Sequence, residues 1–215
     1  MRTVLAYSIH MQKNQLEDTV IVGGGPIGLA CAISARRCGV DPLIVEAGAV
    51  ADSIVRYPIG MGFFTTPELL EIGGHPFVCT GQKPTREDAL KYYRGVVRAD
   101  NLRVRTYTRL LDAHRNGDVI TCTLGTSSGE MQIDCKRLVL ATGYFGEPNL
   151  MNVPGESLPF VAHYFDEPHL SFGLDVVVIG GRNSAVEAAL ELFRAGAHVT
   201  LVSRGTSFPA SVKYW

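Results

Sequence analysis

None of the five cysteines in this 215-residue chain (Cys31, Cys38, Cys79, Cys122 and Cys135) belongs to a C-x-x-C pair, and their number is odd. That pattern argues against a secreted disulfide framework and for reduced thiols in the cytoplasm. Net charge is almost absent as well: 20 Lys and Arg against 21 Asp and Glu leave a formal −1. The chain therefore lacks the electrostatic footprint of a nucleic-acid or anionic-membrane binder. Thr19–Ala35 carries no charge, but its 17 residues are short for a membrane span and are interrupted by Gly23, Gly24, Gly25, Pro26 and Gly28. A strand turning into a helix explains that stretch better. No small-residue cleavage site follows the N-terminal residues, so no signal peptide is expected. Residues 1–17 read as a disordered lead-in. No metal site is expected, and a homodimer is the default expectation for assembly.

Apolar residues make up 46% of the chain and charged residues 19%, the balance of an ordinary globular protein. A chain of this length buries roughly 70% of its unfolded surface and needs no staples. From Asp18 onward, strand and helix signals alternate. Thr19–Val22 is a β-branched run, and Ile27–Cys38 has apolar residues at helical spacing and stops at Gly39. Pro42–Glu46 is a second buried strand, completing a β-α-β unit that favours a parallel sheet. Residues 47–81 are loop-rich, with Phe63 and Phe64 assigned to core packing. Thr85 and Asp88 form a capping box ahead of a helix over Glu87–Ala99. Between Leu102 and Leu140, Asn116-Gly117 and Ser127-Ser128-Gly129 separate three strand-like runs, a three-strand β-meander. A proline-bearing linker follows. Asp175–Ile179, Ala185–Ala195 and His198–Ser203 then begin a second β-α-β unit. The expected organisation is an FAD-type unit over 18–150, a hinge over 151–174 and a partial second dinucleotide unit over 175–215.

Two glycine loops carry the chemistry. Gly23-Gly24-Gly25-Pro26-Ile27-Gly28 reads G-x-G-x-x-G between a strand and a helix. In that motif the first glycine makes the turn, the second admits a pyrophosphate and the third lets helix pack on strand. The helix start adds free N–H groups and partial positive charge. Glu46 lies 18 residues after Gly28 at the end of the next strand, close to the spacing of a ribose-diol acceptor. In the second loop, Gly180-Gly181-Arg182-Asn183-Ser184-Ala185, Arg182 occupies the middle-glycine position and Ala185 the last. Ser203-Arg204 stands where the second acid would be, and an arginine there suits a 2′-phosphate, favouring NADPH over NADH. Two dinucleotide sites in one chain suggest hydride transfer through a bound flavin.

GGGPIG, PLIVEAG, the meander, LVLATGYF, VPGE and VVVIGGRNSAVEAALELFRAGAHVTLV resemble the two-domain FAD/NAD(P) oxidoreductases. YPIGMGFFTTPELLEIGGHPF, KPTREDALKYYRGVV, ATGYFGEPNL and GGRNSAVEAALEL resemble more closely the bacillithiol-disulfide reductases known as the YpdA family. The resemblance implies an FAD/NAD(P)-binding Rossmann-like parallel sheet with a three-strand β-meander, plus the first part of a second Rossmann unit. It implies FAD on Gly23, Gly25, Pro26, Ile27, Gly28, Glu46, Ala47, Leu110 and the Ala141-Thr142-Gly143 turn. It implies NADPH on Gly180, Gly181, Asn183, Ser184, Ala185, Ser203 and Arg204. The implied partner is a small-molecule disulfide. Two departures stand out. The family's residue after the loop proline is typically a cysteine, and here it is Ile27, which forms no thiolate or mixed disulfide. Family members also continue well past Trp215, so the chain is expected to be a shortened form.

Two other readings stay open. A flavin-containing monooxygenase needs FAD and NADPH but no thiol, and Phe160-x-x-His163-Tyr164 faintly resembles that family's hinge motif. An inactive flavin-binding fragment is the other. Thioredoxin-reductase and glutathione-reductase chemistry are disfavoured, because residues 151–179 and 47–78 contain no cysteine. His75 and Cys79 are candidate catalytic groups, and Cys31 is expected to be a packed thiol.

Overall fold

The structure, a computed structural model, describes residues 16–205, 207, 208, 210 and 212. Contacts divide the chain into two compact units. One contains residues up to Val55 together with Gly62–Glu147, and the other contains Arg56–Met61 and the residues from Pro148 onward. The Ile59 N–H donates to the Asp166 carbonyl at 3.2 Å, which ties the short segment to the second unit. The contiguous ranges read from sequence do not contain that grouping.

The first unit is built on β1 (Leu16–Val22), α1 (Pro26–Arg37), β2 (Leu43–Val45), α2 (Asp52–Val55), α3 (Arg86–Ala99), β3 (Arg103–Arg105), β4 (Arg109–Asn116), β5 (Val119–Thr126) and β6 (Gly129–Leu140). Its six strands run in the order β3-β2-β1-β6-β5-β4. β1 pairs in parallel with β2 and β6, and β2 with β3, whereas β4-β5-β6 are antiparallel. The crossovers from β1 to β2 and from β2 to β3 step the same way along the sheet. Right-handed crossovers therefore set α1 and α3 on one face. The meander covers the other face: Val20, Val22, Leu43 and Val45 pack with Cys122, Leu124, Ile133 and Cys135.

β6 pairs with two strands of opposite orientation. Gly129–Cys135 pairs with β5, and Asp134–Leu140 pairs with β1. β1 also starts earlier than expected. Leu16 pairs with Asp134 and Glu17 with Cys135, so these two residues are not part of a disordered lead-in. Residues 1–15 lie outside the described residues. Glu17 looks like a surface charge in the sequence, but it is only 8% exposed. The Arg103 guanidinium donates to both of its oxygens at 2.8 and 2.9 Å, a bidentate pairing that a buried carboxylate needs. That hydrogen bonding also raises the Arg103 pKa.

The capping box at α3 forms as expected. The Asp88 N–H donates to Thr85 Oγ1 at 3.1 Å, and the Thr85 N–H donates to Asp88 Oδ2 at 3.0 Å. These hydrogen bonds, led by the Thr85 backbone, hold the Asp88 carboxyl below its ordinary range. Phe63 and Phe64 do not enter the core. Phe63 is half-buried and Phe64 is 40% exposed, because Gly62–Phe64 runs extended along Pro84–Thr85 and sends alternate side chains outward.

The second unit contains β7 (Asp175–Ile179), α4 (Asn183–Arg194) and β8 (His198–Val202). β7 and β8 are parallel, with Ile179 opposite Val202. Ala188 and Leu192 of α4 are buried, as are Ala197 and Val212. Among the described residues, no helix is long and apolar enough to cross a membrane.

Candidate functional site: two nucleotide-cradling turns

Val22 ends β1, and the chain turns immediately. Gly23 has φ 111°, and a Cβ there would meet the Ala141 carbonyl oxygen at 2.3 Å. Its N–H donates to the Val45 carbonyl at 2.8 Å. At Gly28 a Cβ would lie 1.9 Å from the Gly23 carbonyl oxygen. Only glycine lets α1 start this close to the strand. Gly25 is different, because a Cβ there would meet nothing within 4 Å. Gly25 is the N-cap of α1 and supplies no side-chain cap, with Pro26 following at the helix start. The first turn therefore opens onto free space with its N–H groups uncapped by a side chain, the arrangement that accepts a phosphate.

Glu46 is 8% exposed and grips the same loop. The Gly24 N–H donates to its Oε2 at 2.6 Å, and the Gly48 N–H donates to its Oε1 at 2.8 Å. Two acceptor positions of about four are used, so the carboxylate is fixed in place and can still accept from a diol. The neighbouring backbone adds to the clamp. The Thr108 N–H donates to the Glu46 carbonyl at 2.8 Å, the Tyr107 N–H to Gly48 at 3.0 Å and the Ala51 N–H to Gly24 at 3.0 Å. Sequence reading missed these loop contacts, since their only signal was the E-A-G that follows β2.

The structure brings Gly23, Gly25, Pro26, Ile27, Gly28, Glu46 and Ala141 together around one turn. The Ala141 N–H donates to the Val22 carbonyl at 2.8 Å, which sets the Ala141-Thr142-Gly143 turn beside the glycine loop. Ala47 is exposed at the end of β2. The Leu110 side chain packs against the meander core, and the residue pairs with Leu124 in the β4–β5 ladder. Ile27 is 74% exposed in the first turn of α1. These residues fit FAD by two tests of this structure, the open space above Gly25 and the prefixed carboxylate of Glu46.

His75 and Cys79 are not brought to the loop. His75 Nε2 lies 3.0 Å from Asp100 Oδ2, and Arg37 at the C-terminal end of α1 donates to the nearby Gly73 carbonyl at 2.6 Å. α1 has 12 residues and so separates that place from the glycine loop by about 18 Å. The Cys79 thiol donates to the Gly81 carbonyl at 3.1 Å and lines a recess of about 550 Å³ with Glu68, Glu71 and Phe77. Cys31 is half-buried rather than fully packed, and Cys38 is exposed. Cys122 and Cys135 sit in the meander core with sulfurs 3.9 Å apart. Burial, with the Cys135 thiol beside it, pushes Cys122 up to about 12, and burial also raises Cys135. Among the described residues, no cluster of His, Cys, Asp or Glu could hold a metal ion.

The second unit repeats the device. The Gly180 N–H donates to the Val202 carbonyl at 2.9 Å, and a Cβ on Gly180 would meet the Ala185 Cβ at 2.7 Å. Gly181 faces Ser203, whose Oγ a Cβ would meet at 3.0 Å. Arg182 caps α4 without a side-chain hydrogen bond, so this helix start is also open. The Ser203 hydroxyl accepts from the Gly205 N–H at 3.2 Å, and Arg204 projects exposed beside it. Asn183 and Ser184 open the helix, and Ala185 supplies the close packing of the third motif position. The open start of α4 beside Gly180 and Gly181 fits a dinucleotide phosphate.

A parallel sheet with a meander, a glycine turn at the carboxyl end of β1 and an acid closing β2 define a flavin- and nicotinamide-dependent oxidoreductase fold. Residues 20–215 match the family described as pyridine nucleotide-disulphide oxidoreductase, and the chain belongs to that family. It is 44% identical over 199 residues to the bacilliredoxin reductase Bdr of Bacillus subtilis (strain 168), covering 93% of this chain and 60% of that protein. The structure of the bacillithiol disulfide reductase Bdr (YpdA) from Bacillus cereus matches with a TM-score of 0.91 and 46% identity, over 94% of this chain and 62% of that one. A ferredoxin–NADP reductase of Ignicoccus hospitalis (strain KIN4/I) is 31% identical, covering 92% of this chain and 60% of its own length. The chain thus spans about three-fifths of these relatives.

Proposed function

We propose that this chain forms the FAD-binding unit and part of the NADPH-binding unit of an oxidoreductase that passes electrons from NADPH through FAD to a small acceptor. The observation that carries the reading is the first glycine turn, where an uncapped helix start, an open Gly25 and a fixed Glu46 carboxylate converge. Gly23, Gly25, Pro26 and Gly28 would seat the pyrophosphate, and Glu46 the ribose diol. Ala141, Thr142 and Gly143 would line the flavin side, with Ala47 and Leu110 toward the adenosine. Gly180, Gly181, Asn183, Ser184 and Ala185 would seat the NADPH pyrophosphate, and Ser203 and Arg204 its 2′-phosphate. When bound, FAD supplies a carrier that takes up a hydride and releases its electrons in a separate step. This chain's residues supply orientation, phosphate neutralisation through backbone N–H groups, and a rigid floor.

The similarity to Bdr supports a low-molecular-weight disulfide as acceptor, while the unpaired cysteine pattern favours the cytoplasm and a homodimer is the default assembly. One observation favours a second reading. Ile27, not a thiol, stands in the exposed first turn of α1, so an acceptor reduced without thiol exchange competes with the disulfide.

The test is an anaerobic absorbance titration of the purified chain reconstituted with FAD. Addition of NADPH should bleach the flavin band near its oxidised maximum, and NADH should do so only at much higher concentration. A chain that refuses FAD, or a flavin that NADPH leaves oxidised, would refute the proposal.

A further inference from the structure

We infer that Cys122 and Cys135 are a latent redox pair: a low-molecular-weight disulfide oxidises them to a β5–β6 cross-link only while the flavin site is empty, and the cross-linked unit holds FAD poorly. The inference rests on the FAD reading above and adds a modification site to it. The two sulfurs lie 3.9 Å apart, and both residues are 0% exposed. Cys135 stands opposite Ile120, and Cys122 opposite Ile133, so the thiols meet across a diagonal of the β5–β6 ladder. Burial pushes the Cys122 thiol up to about 12 and raises Cys135 as well. Neither therefore presents the thiolate that exchange requires while the core is closed. Diagonal neighbours in a closed ladder are roughly 7–8 Å apart, and a disulfide spans at most about 7 Å between Cα atoms. The bond therefore forms when the two strands have parted or shifted, and it then opposes their return to the closed register.

The meander that carries this pair is packed on the strands that end in the flavin site. Cys122 and Cys135 share one core cluster with Val22, the last residue of β1, and Val45, the last of β2. Gly23 and Glu46 follow those two residues directly. Cys135 is also where β6 changes partners, pairing with Ile120 of β5 and with Glu17 of β1. The same strand ends at Leu140, opposite Val22, and the Ala141 N–H donates to the Val22 carbonyl at 2.8 Å. A cross-link that draws Cys135 toward β5 thus pulls on the strand that sets the Ala141-Thr142-Gly143 turn beside the glycine loop. A ligand held by the ends of β1 and β2 and by that turn favours the closed form and makes opening rarer. These two effects are one coupling seen from both sides. The oxidation balances in two exchange steps. A cysteine thiolate exposed by opening attacks one sulfur of the small disulfide, whose S–S bond breaks as one small thiol leaves. The second cysteine thiolate attacks the mixed disulfide, the Cys122–Cys135 bond forms and the other small thiol leaves. The pair loses two electrons, the small disulfide gains them, and the two thiol protons pass through solvent to the departing thiolates.

The experiment uses the full chain carrying Cys31→Ser/Cys38→Ser/Cys79→Ser, which leaves the core pair as its remaining cysteines, with glutathione disulfide as the oxidant and no NADPH. Wild-type chain whose accessible thiols have first been capped with N-ethylmaleimide gives a second route to the same readout. Flavin-free protein incubated for hours should lose both thiols together and gain one internal disulfide. Cleavage after Glu130, which lies between the two cysteines, should then release their peptides still linked. FAD at a hundred times its Kd, with binding measured separately by quenching of flavin fluorescence, should slow the oxidation about a hundredfold. The oxidised protein should bind FAD at least about tenfold more weakly, a usual size for coupling between two sites, and dithiothreitol should restore the affinity. FAD that binds but leaves the oxidation rate unchanged would overturn the inference alone. So would glutathione mixed disulfides in place of the internal bond, flavin-free protein that keeps both thiols, or oxidised protein that binds FAD as tightly as reduced. A chain that does not bind FAD at all would instead overturn the function proposed above.

Discussion

Gly25 and Gly28 lie three residues apart in the same turn, yet replacing each with alanine should act by a different route: Gly28→Ala chiefly on stability, Gly25→Ala chiefly on FAD binding. At Gly28 the new Cβ would sit 1.9 Å from the Gly23 carbonyl oxygen and 3.5 Å from the Ala141 Cβ. The first neighbour is backbone, so α1 itself must lift away from β1. Forcing a methyl group into such a contact costs at least about 3 kcal/mol, the top of the usual overpacking range. Alanine's better helix propensity returns about 1 kcal/mol, so Gly28→Ala should lose about 2 kcal/mol and bind FAD poorly because the turn is displaced. At Gly25 the Cβ meets nothing within 4 Å, and φ is −81°, an ordinary value for any residue. The cost there is the poorer N-cap preference of alanine, about 0.5–1 kcal/mol. That methyl group projects into the space reserved for the pyrophosphate. Loss of a charge-assisted hydrogen bond, about 1.5–3 kcal/mol, should weaken FAD tenfold to hundredfold. Urea unfolding followed by circular dichroism measures the first quantity, and quenching of flavin fluorescence measures the second. If Gly25→Ala bound FAD as tightly as wild type, or Gly28→Ala unfolded at the wild-type midpoint, the assignment of roles in the turn would fail.

Thr85→Ala removes the hydroxyl that caps α3 and should lower the stability of the first unit by about 1 kcal/mol in the same urea assay. In native protein at pH 8, at most Cys31, Cys38 and Cys79 should react with a maleimide. Cys122 and Cys135, fully buried with raised pKa values, should react only after unfolding. Glu156 accepts from the Met151 and Asn152 N–H groups at 2.8 and 2.7 Å and faces His163 Nε2 at 3.1 Å. These bonds, the Met151 amide first, depress its pKa below the ordinary 4.5. Its contribution to ordering the 151–163 segment is therefore complete above 4.5 and lost as pH falls through the lower folded value. The Met151 and Asn152 amide shifts in an NMR titration should follow the protonation of Glu156 with a midpoint below 4.5.

The parts of this fold that were legible beforehand are those set by short-range rules. The glycine turn, the Thr85–Asp88 box and the Asn116-Gly117 hairpin each declare themselves within six residues, because the turn geometry dictates the residue type. The long-range pairings were not legible. Glu17 and Arg103 are 86 residues apart, and nothing local marks Glu17 as buried. The continuity of β6 was hidden because one strand changes partners midway, from antiparallel β5 to parallel β1. At the site, Glu46 followed from its spacing after Gly28, but the two amides that fix it did not, since any residue carries an N–H. His75 and Cys79 attracted notice by chemistry alone, and tertiary contacts place them at Asp100 and in the 66–82 recess.

The central claim is that the first unit grips a flavin through its dinucleotide half, by the Gly23–Gly28 turn and Glu46. Parallel titrations of the purified chain with FAD and with FMN, in wild type and Glu46→Gln, test it most directly. FMN lacks the second phosphate and the adenosine ribose. FAD should therefore bind wild type at least about a hundredfold more tightly than FMN, the worth of two lost hydrogen bonds. Glu46→Gln should erase much of that difference while leaving FMN binding unchanged. Equal affinity for FAD and FMN in wild type would contradict the claim.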